Sequence, residues 1–313
     1  MLSYISSFRK LDATRAIVLL LAGLFLYFCA LEAVTTVGMK RISKGAKRIH
    51  GDYSRALTLR STSPDGRQTI LVVGNSLLVV GVDRVKLAAS LFPEYSVSLL
   101  PIENTTYLDW YFGLRRIFAE GARPFTVVLC LSPKQLISDS VNGAGFAHHM
   151  MQLRDLRAVA KAAGLDLTTT SVFFFAHLSS WLGDRESIRN WLLETTLPNA
   201  NLLISSLIPR IPPPAKAEQR DVSAGAVRRL VELRDLSAAY GTRFLFLIPP
   251  LTSDKRLAEE ISLAGERSGL TVLMPFVPGE MGAGYFSDGF HLKPEGASTF
   301  TERLGRMLRS ALR

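Results

Sequence analysis

The sequence predicts a parallel, doubly wound α/β sheet joined to one N-terminal membrane-spanning helix. Three observations support this fold class: short apolar runs alternate with amphipathic stretches after residue 68, a long uncharged apolar run lies near the start, and the mean hydropathy is +0.20. Alternating strands and helices are typical of a parallel sheet with helices on its faces. The hydropathy is high for a purely soluble protein and agrees with a membrane segment.

The first element is the apolar run AIVLLLAGLFLYFCAL at residues 16–31, which continues past Glu32 to Met39. About 20 apolar residues cross a bilayer, so residues 16–39 are predicted to be an anchor after a tail at 1–15. A cleaved signal peptide is the alternative, but its apolar region spans roughly 7–15 residues and ends at a small-x-small site. Basic residues flank both ends of the run, so charge alone leaves the membrane orientation open.

The positive charge indicates membrane lipids as a partner and argues against nucleic acid. The net charge is +10, but residues 1–50 hold eight Lys/Arg and two acids, a net +6, which leaves +4 for the other 263 residues. Most of the excess therefore flanks the predicted anchor, where it can meet anionic headgroups. The two cysteines, Cys29 and Cys130, predict neither a disulfide nor a metal site.

The remaining elements follow in chain order. Residues 40–68 are basic and then rich in turn residues, which predicts a juxtamembrane helix and a linker. The domain at 69–313 has five predicted strands, at 69–73, 95–100, 125–131, 243–248 and 271–274, and predicted helices that include 82–91, 108–119 and 224–241. Gly241 is a typical helix stop. Residues of about 140–220 interrupt the alternation and are predicted to form a mostly helical insertion.

Within the insertion, the aromatic run at 173–175 and Trp181 are interpreted as core packing in preference to an acyl- or lipid-facing surface. Four of the five histidines are expected to be surface or packing residues. The pair His148-His149 has no carboxylate or thiol near it in sequence to complete a metal-ligand set. No metal or cofactor is predicted.

A candidate nucleophile stands where the first strand ends, in the sequence ILVVGNS ending at Ser76. In open α/β sheets, ligands bind outside the carboxyl ends of the strands. A helix that starts there offers backbone N–H groups suited to a developing oxyanion. Glycine and small polar residues are also ordinary in strand-to-helix turns, so this motif alone is weak.

A candidate base and its orienting acid lie near the end of the chain, in YFSDGFHLKPEG. Asp288 precedes His291 by three residues, so one short loop can hold a carboxylate beside the imidazole. Pro294 and Glu295 suit the first turn of a final helix. The alternative is an ordinary loop histidine before a helix.

Together, Gly-Asn-Ser after the first strand and Asp-x-x-His before the last helix resemble the SGNH/GDSL hydrolase family. The resemblance covers about residues 69–313 apart from the insertion. It implies a three-layer α/β/α sandwich with a flavodoxin-like sheet, with Ser76 as nucleophile, His291 as base and Asp288 as the residue that orients the imidazole. A G-x-S-x-G elbow is absent, so the α/β-hydrolase family is a poorer match.

The chain departs from the family pattern in the expected oxyanion hole. Asn75 stands in place of the usual aspartate. After strand two, IENTTYLDW has no glycine, so Asn104 and the N–H groups near Thr105 become candidates beside the N–H of Ser76. After strand three, LSPKQL has no asparagine, and Ser132, Lys134 or Gln135 stands in its place.

The anchor, the LSPKQL variant and the insertion resemble proteins that handle acyl groups on envelope or exported polysaccharides, often beside a membrane-bound O-acyltransferase. This resemblance implies a single-pass protein with an extracytoplasmic catalytic domain, acting as an esterase or acyltransferase through an acyl-serine. Two alternatives stay open: a non-catalytic scaffold in an envelope-modification complex, and a phospholipase-like enzyme.

Overall fold

The computed structural model describes residues 5–197 and 219–313. Five strands form the sheet: β1 (Gln68–Gly74), β2 (Tyr95–Pro101), β3 (Thr126–Cys130), β4 (Arg243–Leu247) and β5 (Thr271–Leu273). Each lies within two residues of its predicted position. The helices before the insertion are α1 (Ile5–Ile42), α2 (Lys44–Thr58), α3 (Ser76–Gly81), α4 (Arg84–Leu91), α5 (Tyr107–Ala119) and α6 (Pro133–Leu136).

The described part of the insertion is helical, and further helices complete the domain. The insertion contains α7 (Gly143–His149), α8 (Leu156–Ala162), α9 (Leu167–Leu178), α10 (Ser180–Gly183) and α11 (Arg185–Thr196). The rest of the domain adds α12 (Gln219–Tyr240), α13 (Lys255–Ser268) and α14 (Pro294–Leu312). The part of the predicted insertion at 198–218 lies outside the described residues.

The sheet is parallel throughout, in the order β2-β1-β3-β4-β5. This confirms the predicted doubly wound sheet, and the strand order is the flavodoxin-like one. The order reverses between β1 and β3, and ligands of such folds bind at the carboxyl ends of the strands at this reversal. The end of β1, where Ser76 stands, is therefore the expected site.

Helices cover both faces of the sheet, because the strands alternate their buried side chains between two cores. In β1, Leu71 and Val73 join the core formed with α5, α12 and α13. Ile70 and Val72 join the opposite core, which contains Leu78, Leu87 and the apolar face of α14. Strands buried on both faces have continuous apolar sequences, which is why the sequence revealed them.

One predicted helix is divided in two. The helix predicted at 82–91 begins earlier, at Ser76, and is interrupted after Gly81. The side chain of Asp83 accepts hydrogen bonds from the N–H groups of Val85 and Lys86 and so starts α4 afresh. Aspartate is among the residues that favour this N-cap position.

The N-terminal helix contains a segment, Ala13–Gly38, that is long and apolar enough to cross a membrane. Its length and composition also suit a signal sequence near the N-terminus. Helix α2 follows almost directly and packs against β2, and its Ala56 is fully buried in the core.

The aromatic run of the insertion is only partly buried. Phe173 packs in the core, as the core-packing interpretation expects. Phe174 and Phe175, by contrast, are 37% and 56% exposed. The core-packing interpretation is therefore wrong for these two side chains, because α9 contributes only one of its faces to the core.

Candidate active site

Ser76 is presented at the carboxyl edge of the sheet by a close contact between two strands. A Cβ on Gly74 would lie 2.5 Å from the carbonyl oxygen of Cys130 on β3, so only glycine allows this approach. Ser76 is the first residue of α3. Its N–H therefore has no acceptor inside the helix and lies next to its own hydroxyl group.

Asn75 links the turn that carries Ser76 to the loop after β2. It is completely buried; its Oδ1 accepts a hydrogen bond from the N–H of Leu77 at 3.1 Å, and its Nδ2 donates to the carbonyl oxygen of Thr105 at 3.1 Å. An ionised aspartate has no donor for the second bond. The amide at this departure from the family pattern therefore has a structural role.

His291 and Asp288 lie on a tight loop between Phe286 and Leu292, which form an antiparallel bridge. The N–H of Ser287 donates to the carbonyl oxygen of His291 at 2.8 Å and closes the loop. Gly289, at φ +80°, supplies the left-handed backbone conformation that the turn requires. The loop leads directly into α14, so the helix fixes the position of the imidazole.

The structure brings the three predicted catalytic side chains into one hydrogen-bonded chain. His291 Nε2 lies 3.0 Å from Ser76 Oγ, and His291 Nδ1 lies 2.7 Å from Asp288 Oδ2. With the proton on Nδ1, the imidazole donates to the carboxylate and accepts the serine proton at Nε2. The three side chains thus have the geometry of a Ser-His-Asp triad.

The Asp288 carboxylate is held in its ionised form. Partial burial raises its pKa, but hydrogen bonds from the His291 side chain and from the N–H groups of His291 and Phe290 outweigh this and lower the pKa to about 2. The carboxylate is therefore charged at neutral pH and can stabilise an imidazolium. Its side chain is 55% exposed and that of His291 is 32% exposed, so the site is open to a substrate.

The other predicted oxyanion-hole residues differ in whether their N–H and O–H groups already donate to another protein atom. Asn104 is exposed and has a left-handed backbone at φ +59°. The Thr105 hydroxyl donates to Ile102 O at 2.7 Å and accepts from Trp110 Nε1 at 2.8 Å. The N–H of Ser132 donates to Gln135 Oε1 at 2.9 Å, so this backbone donor is engaged. Within the described residues, the N–H groups of Ser76 and Thr105 and the exposed side chain of Asn104 donate to no other group, so these donors are free for a substrate.

Residues that the sequence reasoning did not select position the loop after β2. Asp109 is fully buried, and its carboxylate accepts hydrogen bonds from the N–H groups of Thr106 at 2.7 Å and Asn142 at 2.8 Å. The Thr106 hydroxyl donates to Ser140 O at 2.6 Å. The sequence signal was available, since Thr-x-x-Asp before an apolar helix resembles a capping box.

The fold also completes a cluster that the sequence left incomplete. Ligand atoms of His148, His149 and Asp184 lie within 4.8 Å of one another. The expectation that no carboxylate joins the histidine pair is therefore wrong, because Asp184 is distant in sequence and is brought in by α10. In the structure, His149 Nε2 and Asp184 Oδ1 are hydrogen-bonded at 2.7 Å, and His148 Nδ1 lies 3.0 Å from Ala176 O.

No protein-family model matches this sequence, and no curated protein matches it at a significant level. Among solved structures, the chain is similar to Axe2, an acetylxylan esterase from Geobacillus stearothermophilus, with 10% identity over 80% of this chain and 96% of that chain and a TM-score of 0.38. It is also similar to LAE5, an alpha/beta hydrolase enzyme from the metagenome of Lake Arreo, Spain. That match has 11% identity, covers 82% and 97% of the two chains, and has a TM-score of 0.38. With TM-scores under 0.5, the chemistry of the site rests on the distances given above.

Proposed function

We propose that this chain is an SGNH-type serine esterase or O-acyltransferase that works through an acyl-serine intermediate. The observation that carries the proposal is the hydrogen-bonded chain from Ser76 through His291 to Asp288. The Ser76 Oγ–His291 Nε2 distance of 3.0 Å lies in the range in which a base can take a proton from a nucleophile. The triad lies at the carboxyl edge of the sheet, where the fold binds ligands.

The reaction begins when Ser76 Oγ attacks the carbonyl carbon of an ester and His291 Nε2 takes the serine proton. The tetrahedral oxyanion is stabilised by the Ser76 N–H and a donor from the Asn104 loop. His291 then gives its proton to the leaving alkoxide, and the acyl group stays on Ser76. Water releases the acyl group in an esterase, whereas a sugar hydroxyl accepts it in a transferase.

As substrate we propose acyl groups on an envelope or exported polysaccharide, with the catalytic domain on the extracytoplasmic side of the membrane. A membrane-bound O-acyltransferase is the proposed partner. These finer assignments derive from the resemblance of the sequence motifs. A panel of acetylated polysaccharides and phospholipids would separate a carbohydrate esterase from a phospholipase-like enzyme, because only the second prefers long acyl chains.

The test is labelling of the detergent-solubilised full chain with a fluorophosphonate probe. Wild type should label, Ser76→Ala should not, and His291→Ala should lose labelling by about 10²-fold or more because the base is gone. Asp288→Asn should also lose most of the labelling, by up to about 10⁴-fold, because an amide that donates to His291 Nδ1 leaves the ring proton on Nε2, where the imidazole cannot take the serine proton. Ser54→Ala, which removes an exposed hydroxyl on α2, is the matched control. A folded wild type that does not label would favour the non-catalytic scaffold.

A further inference from the structure

The one acidic residue in the apolar segment Ala13–Gly38 is bound to the insertion. The Glu32 carboxylate accepts hydrogen bonds from Ser179 Oγ at 2.8 Å, from the Trp181 N–H at 3.2 Å and from the Ser180 N–H. Ser180 begins α10, so the carboxylate satisfies N–H groups that the helix leaves unpaired. A charge inside a membrane span is costly unless it is paired, so these bonds explain how the span tolerates Glu32.

These contacts place the start of α10 beside the membrane segment rather than beyond it. Glu32 lies six residues before Gly38, or about 9 Å inside the end of the segment. One turn further along α1, the Thr36 hydroxyl donates to Ser180 Oγ at 2.9 Å. Residues 179–181 therefore lie alongside the last turns of the segment.

Helix α9, which leads into this contact, has an apolar face that no described residue covers. Its 12 residues, LTTTSVFFFAHL, contain no Asp, Glu, Lys or Arg. Phe173 and Ala176 are buried, whereas Leu167, Phe175 and Leu178 are 87%, 56% and 59% exposed. At about 18 Å the helix is too short to cross a bilayer, and apolar helices of this length are buried core helices or interfacial or re-entrant segments. The exposure of Leu167, Phe175 and Leu178 argues against a fully buried core helix. Leu178 directly precedes Ser179, which donates to Glu32 of α1, so the exposed face of α9 ends beside the exposed apolar surface of α1.

The carboxyl edge of the sheet lies on the side of the domain nearest α1. Helix α2 begins two residues after α1 ends, and its Arg48 pairs at 2.5 Å with Glu103, which follows the carboxyl end of β2. Just after α2, the carbonyl oxygen of Leu59 accepts from the N–H of Arg123, which precedes the amino end of β3. Helix α2 therefore runs antiparallel to the strands, and the sheet edge nearest α1 is the one that carries Ser76.

We infer that α9 and its junction with α10 form a second membrane-contacting element, seated in lipid beside α1 by Glu32, and that this element turns the Ser76 edge toward the bilayer. The occupant of the exposed α9 face is lipid, because the face is continuous with the apolar surface of α1. Two further exposed aromatics, Tyr285 and Phe290, lie on or beside the loop that carries His291. They supply apolar surface at the site itself.

This orientation narrows the substrate class, a step that rests on the proposed function. A site that faces the bilayer receives its acyl ester at the membrane surface, so the substrate is a membrane-borne ester or a lipid-linked carbohydrate ester rather than a freely diffusing one. The seating of α9 does not depend on the reaction. The test of membrane contact at α9 can therefore fail while the proposed function holds. Equally, the proposed function can fail while α9 contacts the membrane.

The test measures membrane depth at single cysteines in the full chain. In a Cys29→Ser background the remaining Cys130 is completely buried and does not react, so Leu178→Cys and Phe175→Cys can be labelled with an environment-sensitive nitrobenzoxadiazole dye. The protein is reconstituted in phosphatidylethanolamine–phosphatidylglycerol vesicles with and without brominated acyl chains. Val34→Cys, on the exposed surface of the apolar segment, is the positive control. Leu263→Cys, an exposed leucine on α13, is the negative control.

Brominated lipid should quench the dye at 178 and 175 at least half as strongly as at 34, and leave the dye at 263 unchanged. Quenching at 178 no stronger than at 263 would overturn the inference. A blue-shifted but unquenched dye at 178 would also overturn it, in favour of a protein occupant such as a second copy of the chain.

The role of Glu32 is tested in the same vesicles. Glu32→Leu keeps α1 apolar but removes the acceptor, so quenching at 178 should fall several-fold while quenching at 34 stays. Glu32→Gln retains one acceptor oxygen and should restore part of the signal. Unchanged quenching at 178 in Glu32→Leu would contradict the role of this carboxylate. Fluorophosphonate labelling of the same samples reports on the proposed function, independently of the quenching at 178.

Discussion

Asn75 contributes to the site as a connector, because both ends of its side-chain amide are bound. Its oxygen caps α3 and its nitrogen reaches the carbonyl oxygen of Thr105 in the loop after β2. The two turns that flank the expected oxyanion position are therefore held by one buried side chain. At the scale of single residues, the placement of Ser76 depends on its neighbour as much as on the strand before it.

Replacing Asn75 by aspartate isolates the second of these bonds. Asn75→Asp keeps an oxygen that can cap α3, but it loses the donor to Thr105 and buries a carboxylate near a carbonyl oxygen. We expect a loss of about 1–3 kcal/mol in the free energy of unfolding, measured by urea unfolding of the detergent-solubilised chain. Asn75→Ala, which loses both bonds, should cost at least as much. An aspartate variant as stable as wild type would contradict this role of the amide.

At the scale of elements, β1 and β3 approach each other more closely at Gly74 than any side chain allows. The close contact with Cys130 lies one residue before Asn75, at the point where both strands end. Any separation of the strands there moves the turn that carries Ser76. The position of Ser76 relative to the His291 loop therefore depends on this pair of strands.

Gly74→Ala should force the strands apart. The added Cβ would meet the Cys130 carbonyl oxygen at 2.5 Å, and overpacking of this kind costs about 1–3 kcal/mol. We expect lower stability and a larger loss of fluorophosphonate labelling than the stability change alone explains. Gly51→Ala is the matched control, because nothing lies within 4 Å of the added Cβ on α2 and alanine favours a helix. Equal labelling in the two variants would show that the strand contact does not position Ser76.

At the scale of the whole molecule, stability depends on a buried acid, Asp109, between the loop after β2 and the start of the insertion. Burial raises the pKa of Asp109 to about 7, even though hydrogen bonds from Asn142 and Thr106 act in the opposite direction. An unfolded aspartate has a pKa of about 3.9. Between these values the folded chain holds a proton that the unfolded chain has released, so this group makes stability fall as the pH rises from about 4 to about 7.

The prediction concerns the difference in the free energy of unfolding between wild type and Asp109→Asn. The other titrating groups contribute equally to both proteins and cancel in this difference. As the pH rises through this window, wild type should lose stability relative to the variant by up to about 1.4 kcal/mol per pH unit. Fluorescence of the buried Trp110, which adjoins Asp109, reports unfolding of the domain. A difference that does not change between pH 4 and 7 would show that Asp109 is charged throughout.

The sequence by itself determined the elements and the local motifs. Strands buried on both faces appear as apolar runs such as ILVV in β1, and Asp288 and His291 are three residues apart, so their pairing needs only one loop. The candidate anchor is also a local feature, since a long uncharged apolar run is recognised from its length and composition alone. Such features can be predicted from sequence because the pattern of buried residues repeats every few residues and a turn involves only a few neighbouring residues.

Only the tertiary structure decided which distant residues meet. Ser76 and His291 are 215 residues apart in sequence and 3.0 Å apart in space, and the resemblance of motifs, rather than any periodicity, suggested that they belong together. Asp184 joins the histidine pair, Glu32 binds the start of α10, and α9 leaves Phe175 outside the core. Periodicity shows which face of an element is apolar. The partner of that face depends on how all elements pack together, and no short stretch of sequence contains that information.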